Sequence, residues 1–301
     1  MALSSVALVL LSAVLHVAWN LAVKSSSDPR AFMAVKGIPF LVLGAGVLVW
    51  TPLDALPSGL WICIVLSGLV HAVYVTALSN AYAVGDLSLV YPIARSAPAF
   101  VPVAAFLVLG ERISLQAGAG IAIVVACILV LQLSASDGSL GAGWRALFHP
   151  SGFVRNRWAF LTLAAVVAYS LTDKAGMEIF REVDVIDAVL RAPTYFLLEN
   201  ALCYTLYWSW LATRGFPAIP RVLRMEWKPA LLAALGTLFS YSLILHVFET
   251  EKVSTVVTLR QSSVLVAVLV GWLWLGEAGG RLRLLTSIAL FAGLVVVAVA
   301  S

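Results

Sequence analysis

The chain has 301 residues, 62% of them hydrophobic and 11% charged, and a mean hydropathy of +1.01. A water-soluble fold needs a charged surface that this composition does not supply; lipid is therefore the solvent for most of the chain, and at about 20 apolar residues per crossing the length holds about ten helices and no separate soluble domain. The net charge of +4, from 19 Lys and Arg against 15 Asp and Glu, lies mostly between apolar runs, which points to membrane topology rather than nucleic-acid binding.

The apolar runs fall near 3–23, 31–50, 60–82, 88–109 and 114–133 and, after a polar connection from Ser134 to Arg157, near 158–177, 186–212, 228–248, 254–275 and 282–300. Helices are the expected form, because lipid offers backbone amides no partner and the runs lack the alternation of barrel strands. The first run has no positive leading region and carries Trp19, Asn20 and Lys24 where a cleavage site would stand, so it is expected to be a retained span. Cys63, Cys127 and Cys203 sit singly in different runs, and neither a disulfide nor a metal site nor any cofactor is expected. With ten spans, eleven Lys and Arg collect on one side, Arg145, Arg155 and Arg157 among them, against Arg112, Lys174, Arg181 and Lys252 on the other. The first side is then cytoplasmic and both termini lie outside.

The two halves repeat each other. A shift of 150 positions lays Ala18, Trp19, Asn20, Leu21 and Lys24 on Ala168, Tyr169, Ser170, Leu171 and Lys174; a shift of 166 lays Leu109-Gly110-Glu111 on Leu275-Gly276-Glu277, and Ser88 and Ser96 on Ser254 and Ser262. Five helices per copy make the second copy enter the membrane from the opposite side. The expected fold is all-α and integral to the membrane, ten transmembrane helices in two inverted five-helix repeats, 1–133 and 158–301, joined by 134–157.

The stretch YPIARSAPAFVPVAAFLVLGERISL, Tyr91 to Leu115, resembles the fourth-helix signature of EamA-type carriers of the drug/metabolite transporter superfamily; LRQSSVLVAVLVGWLWLGE, Leu259 to Glu277, repeats it, and HVAWNLAVK, His16 to Lys24, is similar to that family's first helix. The resemblance implies a central cavity lined mainly by the first, third, fourth, sixth, eighth and ninth helices, without implying a substrate. When the LGE triplets are aligned, Arg95 falls one position away from Arg260, which leaves equivalent roles for the two open.

Ionisable groups within the hydrocarbon are costly and usually face a cavity or a partner. Arg95 follows Tyr91 and Pro92, and Pro98 and Pro102 follow it, so a kinked helix beside an arginine suits an anionic group, with pairing to Asp86 or snorkelling as the alternative. Arg260, followed by Gln261, Ser262 and Ser263, is the corresponding candidate in the second copy. Arg191, Tyr195 and Glu199 stand at successive four-residue steps and are expected to form a chain along one helix face. Glu199 reads as the deepest acid, a candidate for proton coupling or for a plain ion pair. His16 shares a face with Trp19 and Asn20, and His71 with Tyr74; with Tyr169, Tyr241, His246 and Ser96 they complete the expected substrate site. Lys36 is expected to snorkel, and Glu111 and Glu277 to cap neighbouring elements.

No HExxH, GxSxG or Walker loop occurs; Asp184 and Asp187 form a single DxxD on a charged connection, and no enzyme is expected. The expected function is secondary transport, in the export direction, of a small polar metabolite such as an amino acid across the inner membrane. A proton is the candidate coupling ion, and lipid and the substrate are the expected partners. The alternatives are an intramembrane enzyme acting on lipid-linked substrates and a non-transporting receptor or assembly subunit.

Overall fold

The computed structural model describes residues 1–84, 93, 96–133, 157–215, 218–273 and 281–300. In chain order its helices are α1 (Leu3–Lys24), α2 (Pro29–Trp50), α3 (Ser58–Val84), α4 (Ala97–Leu109), α5 (Leu115–Leu133), α6 (Arg157–Arg181), α7 (Ala188–Ala212), α8 (Ala218–Met225), α9 (Trp227–Phe248), α10 (Val253–Leu259), α11 (Ser262–Leu273) and α12 (Arg281–Ala300). No strand occurs among the described residues. The helices follow the apolar runs with two differences. The run at 254–275 is broken at Arg260 and Gln261 into α10 and α11, and the connection after α7 contains the short helix α8. Among the described residues four helices, α1, α2, α3 and α9, are long and apolar enough to cross a membrane.

Local chemistry sets several boundaries. Asp28 caps α2, accepting from the backbone N–H groups of Arg30 and Ala31 at 2.9 and 3.0 Å, with Pro29 as the first helical residue; that placement suits a residue with no N–H to offer. Gly110 ends α4 at φ +66, a left-handed conformation that glycine adopts without a Cβ penalty. Glu111 follows, and its carboxylate accepts from both the backbone N–H and the hydroxyl of Ser254 in the first turn of α10. This is the capping role expected of it; Glu277 lies outside the described residues.

Several helix pairs run antiparallel. His71 of α3 stacks on Tyr169 of α6 while Gly59 meets Ile179. Ser12 and Ser240 exchange hydroxyl-to-carbonyl bonds at 2.7 and 3.0 Å, which locks α1 to α9. Gly37 and Gly44 of α2 lie against Tyr204 and Ala201 of α7, and Gly120 of α5 crosses Gly293 of α12. These are small-residue crossings that let helices approach closely where lipid supplies no hydrophobic drive. Helix ends gather at two faces. On one, Ala2 donates to Glu251 at 3.0 Å and Lys252 to the Arg112 carbonyl at 2.9 Å; on the other, the backbone N–H of Ser27 donates to Glu226 at 3.3 Å.

Polarity is arranged outside-in. Leucine, valine and phenylalanine side chains such as Val42, Leu66, Phe106 and Phe291 are exposed on the outer surface, whereas Ser67, His71, Asp173, Glu199 and Asn200 are buried. This distribution is stable only where the surroundings are apolar.

Candidate functional site

The centre of the bundle holds two adjoining cavities of about 70 and 40 Å³. His16, Tyr74, Tyr169 and Arg260 line both and so form the wall between them. The larger is completed by groups such as Asn20, Tyr82, Thr162 and Gln261, the smaller by Trp19, Lys36, His71, Asn200 and Tyr241. Each has room for a few water molecules.

Arg260 reaches the wall because the backbone breaks there. Gln261 and Ser263 donate to Thr258 and Arg260 carbonyls three residues back, at 3.0 and 3.2 Å, so α10 passes into α11 through a tight turn followed by a pair of serines. The Arg260 guanidinium meets His16 Nδ1 at 3.2 Å and lies 5.2 Å from the Tyr241 ring centroid. His16 also contacts Asn20 Nδ2 at 3.2 Å, and Asn20 accepts from the Tyr82 hydroxyl at 3.2 Å. Trp19 stands edge-on to His16 at 5.1 Å. The Nε of Arg260, the Oε1 of Gln261 and the Oγ of Ser262 are buried and make no hydrogen bond among the described residues.

Beneath this wall lies a hydrogen-bonded acid cluster. Asp173 and Glu199 are both 0% exposed. The Ser67 hydroxyl lies 2.5 Å from Asp173 Oδ1, contacts Glu199 Oε2, and is 3.1 Å from His71 Nδ1. Tyr195 donates to Asp173 Oδ1 at 3.3 Å, Tyr241 donates to Oδ2, and Asn200 donates to Glu199 Oε1 at 3.2 Å. Ligand atoms of His71, Asp173 and Glu199 all lie within 4.8 Å of one another, the spacing of a cation site. Their lone pairs are directed at Ser67, Tyr195, Tyr241 and Asn200, so the donor set fits an internal hydrogen-bond network better than a metal.

The structure thus brings His16, Trp19, Asn20, His71, Tyr74, Tyr169, Tyr241 and Arg260 to the cavities, and places Tyr195 and Glu199 in the network below. Ser262 opens α11 beside the break and Ser96 precedes α4, next to the cavity-lining Ala97. His246 does not belong with them: it ends α9 and meets Glu249 at 3.2 Å. The expected chain along α7 is absent as well, since Arg191 turns to Asp184 and Glu249, each at 4.0 Å, while Tyr195 and Glu199 reach across to α6 and α3. Tyr91, Asp86 and Arg95 lie outside the described residues. Lys36, expected to snorkel, is 2% exposed. Lys174 is not a loop cation but is buried, donating to the Phe248 carbonyl at 2.7 Å and pairing with Glu178 at 2.9 Å. Asp173 and Ser67 are not among the residues that sequence reasoning singles out; an acid inside the apolar run 158–177, four residues after Tyr169, is the available signal.

Fold and cavities together define a polytopic helical membrane protein with a polar compartment at the centre of its bundle. Residues 3–133 match the model of the EamA-like transporter family, a family of the drug/metabolite transporter superfamily. A solved protein described only as "Crystal structure of protein" is similar in fold, with a TM-score of 0.70 and 16% identity over 100% of this chain and 98% of that one. No curated protein matches the chain.

Proposed function

We propose that the protein is a secondary transporter of the inner membrane that exports a small polar metabolite bearing a carboxylate, such as an amino acid, by alternating access. The observation that carries this is Arg260: a cation at a helix break, lining both central cavities and paired with no carboxylate among the described residues. Arg260 is partly buried, with its Nε fully buried; a cation withdrawn this far from solvent without a counter-charge is costly, and a substrate anion supplies one.

Ten crossings in two inverted repeats, 1–133 and 158–301, give this site its two-sided access. The antiparallel pairing of α1 with α9, α3 with α6, α2 with α7 and α5 with α12 supports that arrangement, because each of these pairs joins a helix of one copy to a helix of the other. Two like units facing opposite ways can exchange conformations, so that one open state is the other with the copies' roles swapped. The coupling ion is a proton held in the Asp173–Glu199 cluster. A serine hydroxyl has one hydrogen to donate, yet Ser67 Oγ touches an oxygen of each acid, and the second contact needs a proton on a carboxyl group.

Purified protein in liposomes, loaded with labelled amino acids and other carboxylates and tested with and without a pH gradient, should release substrate chemically unchanged. Arg260→Ala should abolish that flux while leaving folded protein in the membrane. Chemical turnover of a substrate, or full flux in the variant, contradicts the proposal.

A further inference from the structure

We propose that Lys36 is a second anion-binding cation of the central compartment, so that the site is built for a metabolite carrying two separate anionic groups, one on Arg260 and the other on Lys36. This rests on the transporter assignment only for the word metabolite; the binding chemistry stands on its own.

Lys36 lies on the second turn of α2, on the face turned toward α7 and α9, and is 2% exposed. Its ammonium makes no hydrogen bond and no ion pair among the described residues; it rests over the Trp19 ring at 4.2 Å and lies 5.9 Å from the Phe40 ring centroid. A ring face attracts a cation but accepts none of its three N–H groups. Those donors belong to a side chain lining the smaller cavity. The same cavity is lined by Arg260, reached from Lys36 through Trp19 and His16.

The acids that would ordinarily neutralise two such cations are engaged elsewhere. Asp173 accepts from Tyr195 and Tyr241, Glu199 accepts from Asn200, and Ser67 Oγ bridges the two acids; neither pairs with Lys36 or Arg260. A compartment with two cations facing the same space, no acid among its described lining residues, and its nearest carboxylates hydrogen-bonded behind it is complementary to a dianion. A monocarboxylate, including an amino acid with a single carboxylate, leaves one cation unmet. A dicarboxylate, or an acidic amino acid whose two carboxylates span the cations, satisfies both.

The test compares succinate and glutarate with butyrate and valerate, matched for length, by calorimetric binding to the full-length protein in detergent and by flux in liposomes. The wild type should bind the dicarboxylates at least tenfold more tightly. Lys36→Met, which keeps the length and packs on Trp19, should bring that ratio close to one while butyrate binding through Arg260 persists; Lys36→Arg should keep the preference. An unchanged ratio in Lys36→Met overturns the proposal, as does a wild type that binds both classes equally or neither. Should Lys36→Met fail to fold, the wild-type ratio decides alone. Dicarboxylate binding without flux leaves the Lys36 assignment standing and removes the transporter, whereas flux with no preference for two charges does the reverse.

Discussion

Ser67→Ala deletes one oxygen at the junction of α3, α6 and α7, and the hydrogen bonds which that oxygen makes set the cost. Ser67 Oγ is 2.5 Å from Asp173, touches Glu199 and lies 3.1 Å from His71. A hydrogen bond to a charged group contributes about 1.5–3 kcal/mol, and leaving a buried acceptor unmet costs at least as much. Asp173 keeps Tyr195 and Tyr241, and Glu199 keeps Asn200, so the loss is partial and a net destabilisation of about 2–3 kcal/mol is expected. For a chain of this size that corresponds to a fall in thermal unfolding temperature of roughly 3–5 °C. Fluorescence-detected unfolding of purified protein in detergent measures it. Because the two side chains share one network, Ser67→Ala and Glu199→Gln should be non-additive by about 1 kcal/mol or more. An unfolding temperature within about 1 °C of the wild type, or strict additivity, refutes the shared-proton network.

Glu199→Gln should remove the stimulation of flux by a pH gradient while substrate exchange at equal pH continues, measured in the same liposomes; retention of the pH effect places the coupling elsewhere. Gly44→Ala should destabilise the protein by about 1–3 kcal/mol, because its Cβ would stand 2.6 Å from the Ala201 Cβ and 2.7 Å from the Leu197 carbonyl oxygen, neither of which can yield easily. Gly46→Ala, two residues on and facing open space, is the matched control and should leave the unfolding temperature unchanged or slightly raised.

Much of the bundle is legible in the sequence because its signals are one-dimensional. Apolar run length marks a helix in lipid whatever its neighbours, and the 150-position shift links Trp19 to Tyr169, which both reach the central cavities. What escapes depends on which way a helix faces. Lys36 lies roughly 10 Å along α2 at 1.5 Å per residue, a depth from which a lipid-facing lysine snorkels and a bundle-facing one is buried. α2 is apolar enough all round that the sequence does not choose between them. Asp173 has Val23 as its partner under the same shift, so the repeat draws attention to Lys174 instead. Along α7 the four-residue spacing of Arg191, Tyr195 and Glu199 is sound, but their partners are set across helices: Tyr195 lies against Gly176, where a Cβ would come within 2.6 Å of its ring, and so reaches Asp173. His246 falls within its run but in the last turn of α9, where it meets Glu249 rather than the cavities.

Thiol accessibility at Thr162, a buried residue lining the larger cavity, reports most directly on whether this compartment opens to both sides. In a background with Cys63, Cys127 and Cys203 replaced, Thr162→Cys should react with a membrane-impermeant thiol reagent in both right-side-out and inside-out vesicles, and bound substrate should slow both reactions. Labelling from one side alone, or from neither, contradicts alternating access through this site.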